Sequence, residues 1–69
     1  LDDVENLTIP EDLEIAFEQN QLAYINYNNF SPSYRKSYLY WLNQAKREET
    51  RLSRIREIIA LCHQNKKSR

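Results

Sequence analysis

SPSYRKSYLYWLNQAKREETRLSRIREII, residues 31–59, decides the fold. Ser31 carries a side-chain oxygen that can accept from the orphan amides of a first helical turn. Pro32 has the fixed φ and the missing N–H that suit the first helical position. Tyr34, Tyr38, Trp41, Leu42 and Ala45 follow at i, i+4, i+7, i+8 and i+11, an apolar stripe along one helix face. The pattern places Lys46 and Arg47 in the last turn, where cations suit the negative end of the helix dipole. After a joint near 47–49, a final helix is expected from Glu48 to Gln64. Leu52, Ile55, Ile59 and Cys62 form its inward seam, widened by Ile58 and Leu61. Arg47, Arg51 and Arg54 gather on another face.

Toward the N-terminus the signals weaken. Thr8 and Glu11 have the spacing of a capping box, and Pro10 suits a first turn. Leu13, Ala16 and Phe17 recur at i, i+3 and i+4, which predicts a helix over 10–19. Residues 20–30, NQLAYINYNNF, alternate like a short strand, yet Leu22, Ile25 and Asn29 also fit a helical turn. With no second strand to pair with, a lone strand would leave its backbone groups unsatisfied, so a short helix is expected. Residues 1–7 read as an acidic linker or arm, 8–64 as the helical domain and 65–69 as a polar tail. The expected fold is all-α: three main helices plus a short extra one, with Leu13, Phe17, Ile25, Tyr38, Trp41, Leu42, Leu52, Ile55 and Ile59 inside and Trp41 at the centre.

Composition agrees with a small helical domain. A chain of 69 residues is one domain at most, burying roughly 60% of its unfolded surface. Glycine is absent and prolines number two, which leaves few sites for tight hairpins. The single cysteine, Cys62, cannot form an intrachain disulfide, so a reducing, cytoplasmic setting is expected. No apolar run approaches the roughly 20 residues of a membrane span. The chain begins at Leu1 without methionine, as a segment of a longer protein would.

Charge is segregated. Residues 1–30 hold seven acids and no base, whereas 31–69 hold ten bases and three acids, so formal charges of −7 and +7 cancel. Arg35, Lys46, Arg47, Arg51 and Arg54 make up a candidate interaction surface that could meet a protein partner or, alternatively, nucleic-acid or lipid phosphate. The zero net charge and the lack of a glycine-bearing helix-turn-helix argue against nucleic acid. A plainer account is internal, with the acidic first helix beside the basic ones. Catalytic chemistry finds little support. Cys62 and His63 are adjacent, and adjacent helical positions point about 100° apart. The sequence has no Cys or His pair at zinc spacing and no phosphate-binding glycine loop. No enzyme activity and no cofactor are expected. A regulatory thiol at Cys62 is a third reading, which burial together with slow alkylation would remove.

With those residues in view, IPEDLEIAF (9–17) and SPSYRKSYLYWLNQAKREETRLSRI (31–55) resemble the YdeI/OmpD-associated, or bacteriocin-protection, family. Pro10-Glu11-Asp12, Ser31-Pro32-Ser33, Tyr38, Trp41, Ala45-Lys46, Glu49-Thr50-Arg51, Arg54 and Ile55 match its pattern. The resemblance spans residues 8–62. Glu48 stands where the family often has proline, which leaves the start of the last helix less fixed. The resemblance implies a compact all-α domain, commonly C-terminal to a different domain in a bacterial protein. It also implies association with a porin and with tolerance to bacteriocins or cationic antimicrobial peptides. It supplies no catalytic residue.

Overall fold

Why the first helix starts where it does follows from Pro10. A residue before proline is pushed out of the α region, so Ile9 cannot be the first helical residue and Thr8 cannot cap it. In the computed structural model, which describes residues 7–66, α1 (Glu11–Glu18) indeed begins one residue after Pro10. Pro10 is the N-cap, extended at φ −59 and ψ 152, and no side chain caps the helix. The expected capping box therefore does not form. Glu11, Asp12 and Glu14 occupy the first turn, where the dipole favours acids.

The ambiguous stretch is helical: α2 runs Gln21–Asn29. Asn20 starts it, its side chain accepting from the Ala23 amide at 3.2 Å. Its inward face differs from the expected one. Ala23 and Tyr27, four apart, are buried, and Phe30 follows them just past the helix end. Ile25, expected in the core, is 56% exposed. The small Ala23 lets α2 lie close on the rest of the bundle, and it packs most extensively against the last helix. That approach turns Leu22 and Ile25 outward.

α3 (Pro32–Asn43) starts as its sequence dictates, with the Ser31 hydroxyl facing the Tyr34 amide at 3.4 Å. It stops sooner than expected. The Ala45 amide reaches back only three residues, to the Leu42 carbonyl, a tightening that ends the helix. Lys46 and Arg47 therefore lie in the connection, not in a last turn, and Arg47 is the N-cap of α4 (Glu48–His63). Glu48 opens α4 without a proline. It and Glu49 sit in the first turn.

One apolar interior joins all four helices. Leu13 and Phe17 of α1, Ala23 and Tyr27 of α2, Tyr38, Leu39 and Leu42 of α3, and Ile55, Ile58 and Cys62 of α4 are buried together with Phe30. Phe17 packs on Tyr27 with ring centroids 5.0 Å apart, and Phe30 stacks on Tyr38 at 6.3 Å. Each fully buried side chain of this size contributes about 1.5–3 kcal/mol by leaving water.

Several side chains sit elsewhere than their periodicity suggests. The stripe of α3 turns toward Leu39, so Trp41 is at the rim of the core instead of its centre, and Tyr34 is exposed. The seam of α4 runs through Ile55, Ile58 and Cys62. Ile59 is consequently half-buried and Leu52 exposed. Among the described residues there are four helices and no strand.

The C-terminal end of α4 shows how a glycine-free chain stops a helix. Asn65 adopts the left-handed conformation, φ 60. Its amide bonds to the Cys62 carbonyl at 2.9 Å, and the Lys66 amide bonds to the Leu61 carbonyl at 2.8 Å. These two bonds define a Schellman motif with asparagine in the place glycine usually takes. Tyr38 then donates its hydroxyl to the Lys66 carbonyl at 3.1 Å, tying α3 to this end. Asn65 and Lys66, expected in the polar tail, form this turn. Residues 67–69 and most of the 1–7 arm lie outside the described residues.

Candidate functional site

The five basic residues singled out from sequence separate into distinct settings. Arg51 reaches from α4 to α1 and grips Asp12 with two bonds, Nε to Oδ2 at 2.9 Å and Nη2 to Oδ1 at 3.0 Å. Its Nη1 lies 3.4 Å from the Leu42 carbonyl. Arg54 donates Nη1 to the Trp41 carbonyl at 2.7 Å and holds its guanidinium 4.9 Å from the centre of the Trp41 ring.

Those two carbonyls belong to the last turn of α3, which has no basic residue of its own, and the Leu42 carbonyl accepts the Ala45 amide as well as facing Arg51. Arg51 and Arg54 therefore supply positive charge from α4 to the negative end of α3. Of the Glu49-Thr50-Arg51 and Arg54 pattern, this joint accounts for the two arginines. Sequence reasoning could not see it, because a backbone carbonyl leaves no signature in the residue type.

Lys46 and Arg47 are exposed on the connection. Arg35, half-buried on α3, has an enclosed Nε with no hydrogen-bond partner among the described residues. The structure brings Arg51 and Arg54 together at the joint and does not gather all five residues around one point.

The internal pairing of acidic and basic halves expected from charge segregation is realised by Asp12 and Arg51. The Arg51 hydrogen bonds hold the Asp12 carboxyl below its ordinary range, outweighing the opposing effect of desolvation. The same bonds raise the Arg51 guanidinium.

The remaining reactive side chains are placed for structure. Cys62 is fully buried, and desolvation pushes its thiol up to about 12. Burial counts against a regulatory thiol there, since the thiolate is both inaccessible and disfavoured. His63 points elsewhere, its Nδ1 lying 3.3 Å from the Asn20 side-chain oxygen. The Tyr27 phenol, raised to about 12 by burial, stays protonated. Asn26 donates to the Cys62 carbonyl at 2.8 Å and ties α2 to α4.

A surface that the sequence reading missed lies on the opposite half. Between α1 and α2 an open groove of about 390 Å³ is lined by Glu14, Phe17, Glu18, Gln21, Tyr24 and Ile25. Tyr24 leans on Phe17 with ring centroids 5.3 Å apart, and Ile25 forms an exposed wall. The available signal was Leu22 and Ile25 on one face of α2 beside Glu14 and Glu18 on α1. Hydrophobic periodicity alone assigns Ile25 to the core.

Among the described residues no helix is long and apolar enough to cross a membrane, and no group of three or more His, Cys, Asp or Glu is placed to hold a metal. No curated protein and no solved structure matches the chain. A family model does, described as OmdA: bacteriocin-protection, YdeI or OmpD-associated, and it covers residues 6–65. That range takes in all four helices, the α3–α4 joint and the groove alike. The chain belongs to the OmdA family of bacteriocin-protection, YdeI or OmpD-associated proteins.

Proposed function

We propose that the domain is a noncatalytic protein-interaction module of a cytoplasmic bacterial protein, serving tolerance to bacteriocins or cationic antimicrobial peptides. The observation that carries this reading is the outward apolar face of α2. Leu22 and Ile25 are 49% and 56% exposed, with Tyr24 beside them, although the fold has an interior available for such side chains. Apolar groups clustered at the surface beside a groove mark a contact site more often than chance exposure does. The family description supports the tolerance role by its own words, bacteriocin-protection, and porin association by the words OmpD-associated.

Further support comes from how the chemically capable side chains are used. Arg51 and Arg54 brace the α3–α4 joint, and Cys62 fills the core. Lys46 and Arg47 are the part of the basic set most open to a partner. The test is removal of this domain from its parent protein, followed by survival under bacteriocin or cationic peptide challenge. Reduced survival is expected; survival equal to that of the unaltered strain would refute the tolerance role.

A further inference from the structure

The groove between α1 and α2 combines two features that constrain its occupant. One wall is apolar: Ile25 and Tyr24, 56% and 42% exposed, with the Phe17 ring as floor. The other is acidic: Glu14 and Glu18, four residues apart on α1, both exposed and without an ion-pair partner among the described residues. Like charges at that spacing work against the helix that carries them, and a cation set between them reverses the effect. Among the described residues no cation pairs with either glutamate; residues 1–30 contain no Lys or Arg, and Arg51 is committed to Asp12.

We propose that this groove takes a basic amphipathic segment of another protein, with an apolar side chain against Ile25 and Tyr24 and a Lys or Arg between Glu14 and Glu18. The inference rests on the reading of the domain as an interaction module and specifies the chemistry of its partner. Nucleic acid and acidic peptides are repelled by the two glutamates. A second copy is a poorer match. Its exposed Leu52 and Arg56 share the outer face of α4 with Glu48 and Glu49, which would oppose Glu14 and Glu18. A tyrosine ring flanking the cation adds a favourable electrostatic contact.

The experiment titrates the 69-residue chain with a synthetic leucine–lysine peptide of helical periodicity, followed by amide chemical shifts. Shifts are expected in residues 14–25, with binding that weakens as salt is added. Glu14→Lys with Glu18→Lys should weaken binding roughly tenfold or more. Ile25→Ser should weaken it with the helical signal unchanged, because Ile25 supports no core contact. A leucine–glutamate peptide should not bind.

No binding at low salt, unchanged affinity in these variants, or shifts confined to α3 and α4 would overturn the proposal. So would dimers of the free chain that Ile25→Ser dissolves in sedimentation. A negative titration beside a survival defect on domain removal overturns the groove alone. A positive titration beside unchanged survival keeps the groove and removes the tolerance role.

Discussion

In the α3–α4 half three conspicuous side chains point at other parts of the same molecule, while Tyr34, Tyr40 and Leu52 are exposed. Arg54 covers Trp41, Arg51 holds Asp12, and Tyr38 reaches the backbone at Lys66. In the α1–α2 half several large side chains point away from it: Ile15, Leu22, Tyr24 and Ile25 are all more than two-fifths exposed. The half richer in recognisable pattern therefore commits Arg51, Arg54 and Tyr38 to internal contacts. The plainer half carries surface that the fold does not use. Density of motif and density of exposed apolar surface are separate quantities in this chain.

The sharpest way to break that comparison is to truncate one side chain of each kind. Phe17 is 2% exposed and touches the rings of both Tyr24 and Tyr27. Phe17→Ala is expected to cost about 3–5 kcal/mol. In a domain this small that approaches the whole stability, so urea unfolding should show a largely unfolded chain. Ile25→Ala should change stability by only about 0.5 kcal/mol in either direction. Comparable losses from both would mean that α2 faces the other way, and the proposed groove would vanish with that result.

What could be read in advance divides along physical lines. Helix starts were legible where a local side chain dictates them, as at Ser31-Pro32, because a cap acts on residues within one turn. The orientation of α2 was not. Ala23 and Tyr27 look less apolar than Leu22 and Ile25, so periodicity weighted by hydrophobicity selects the wrong face. Size decided the matter, since Ala23 allows the close approach to α4 that Leu22 would block. The rim position of Trp41 has a similar origin: Leu39, one residue outside the stripe as drawn, takes the interior place. The basic surface was legible as charge and not as geometry. Whether Arg51 and Arg54 face solvent depends on where α3 ends, and that end lies earlier than its apolar pattern suggests.

The joint supplies the next test. Arg54→Ala removes a charged hydrogen bond and a cation–π contact together, an expected loss of about 2 kcal/mol. Arg54→Lys should recover part of it, because an ammonium can reach the ring or the carbonyl but lacks the planar fork that serves both. Chemical denaturation of the two variants decides the point. A loss from Arg54→Ala no greater than that from an exposed arginine such as Arg56 would show that Arg54 is free in solution and available to a partner. The unequal division between the halves would then be smaller than the structure indicates.

The Asp12–Arg51 pair crosses between the two halves, and its worth is limited by solvent. The side chains are 38% and 23% exposed, so screening restricts the expected coupling to about 1 kcal/mol or less in a double-mutant cycle of Asp12→Asn with Arg51→Gln. Its pH dependence has a definite sign. The folded state lowers the Asp12 pKa below the ordinary 3.8, so the unfolded chain binds the proton more readily there. The contribution is complete above the unfolded value and is lost as pH falls through the lowered folded one. Arg51 stays charged throughout. Stability of Asp12→Asn should thus lose less on acidification than that of the parent chain. Parallel acid unfolding curves would show the pair to be idle.

The smallest expected effect concerns the end of α4, where the comparison narrows to one residue. Asn65 holds φ 60 without a glycine's freedom, which costs an ordinary residue roughly 1 kcal/mol and asparagine somewhat less. Asn65→Gly removes the strain but adds unfolded-state entropy, and the balance should be a gain of about 0.5 kcal/mol or less. Asn65→Ala keeps the strain and loses the local polar side chain that tolerates it, an expected loss of about 1 kcal/mol. Because Lys66 receives the Tyr38 hydroxyl next door, the alanine variant should also loosen α3 at that end, visible as faster amide exchange near Tyr38. The same variant should leave exchange in α1 unchanged. Equal loosening of both helices would mean that the Schellman turn serves the whole bundle, and that the α3–α4 half is less self-contained than its internal contacts imply.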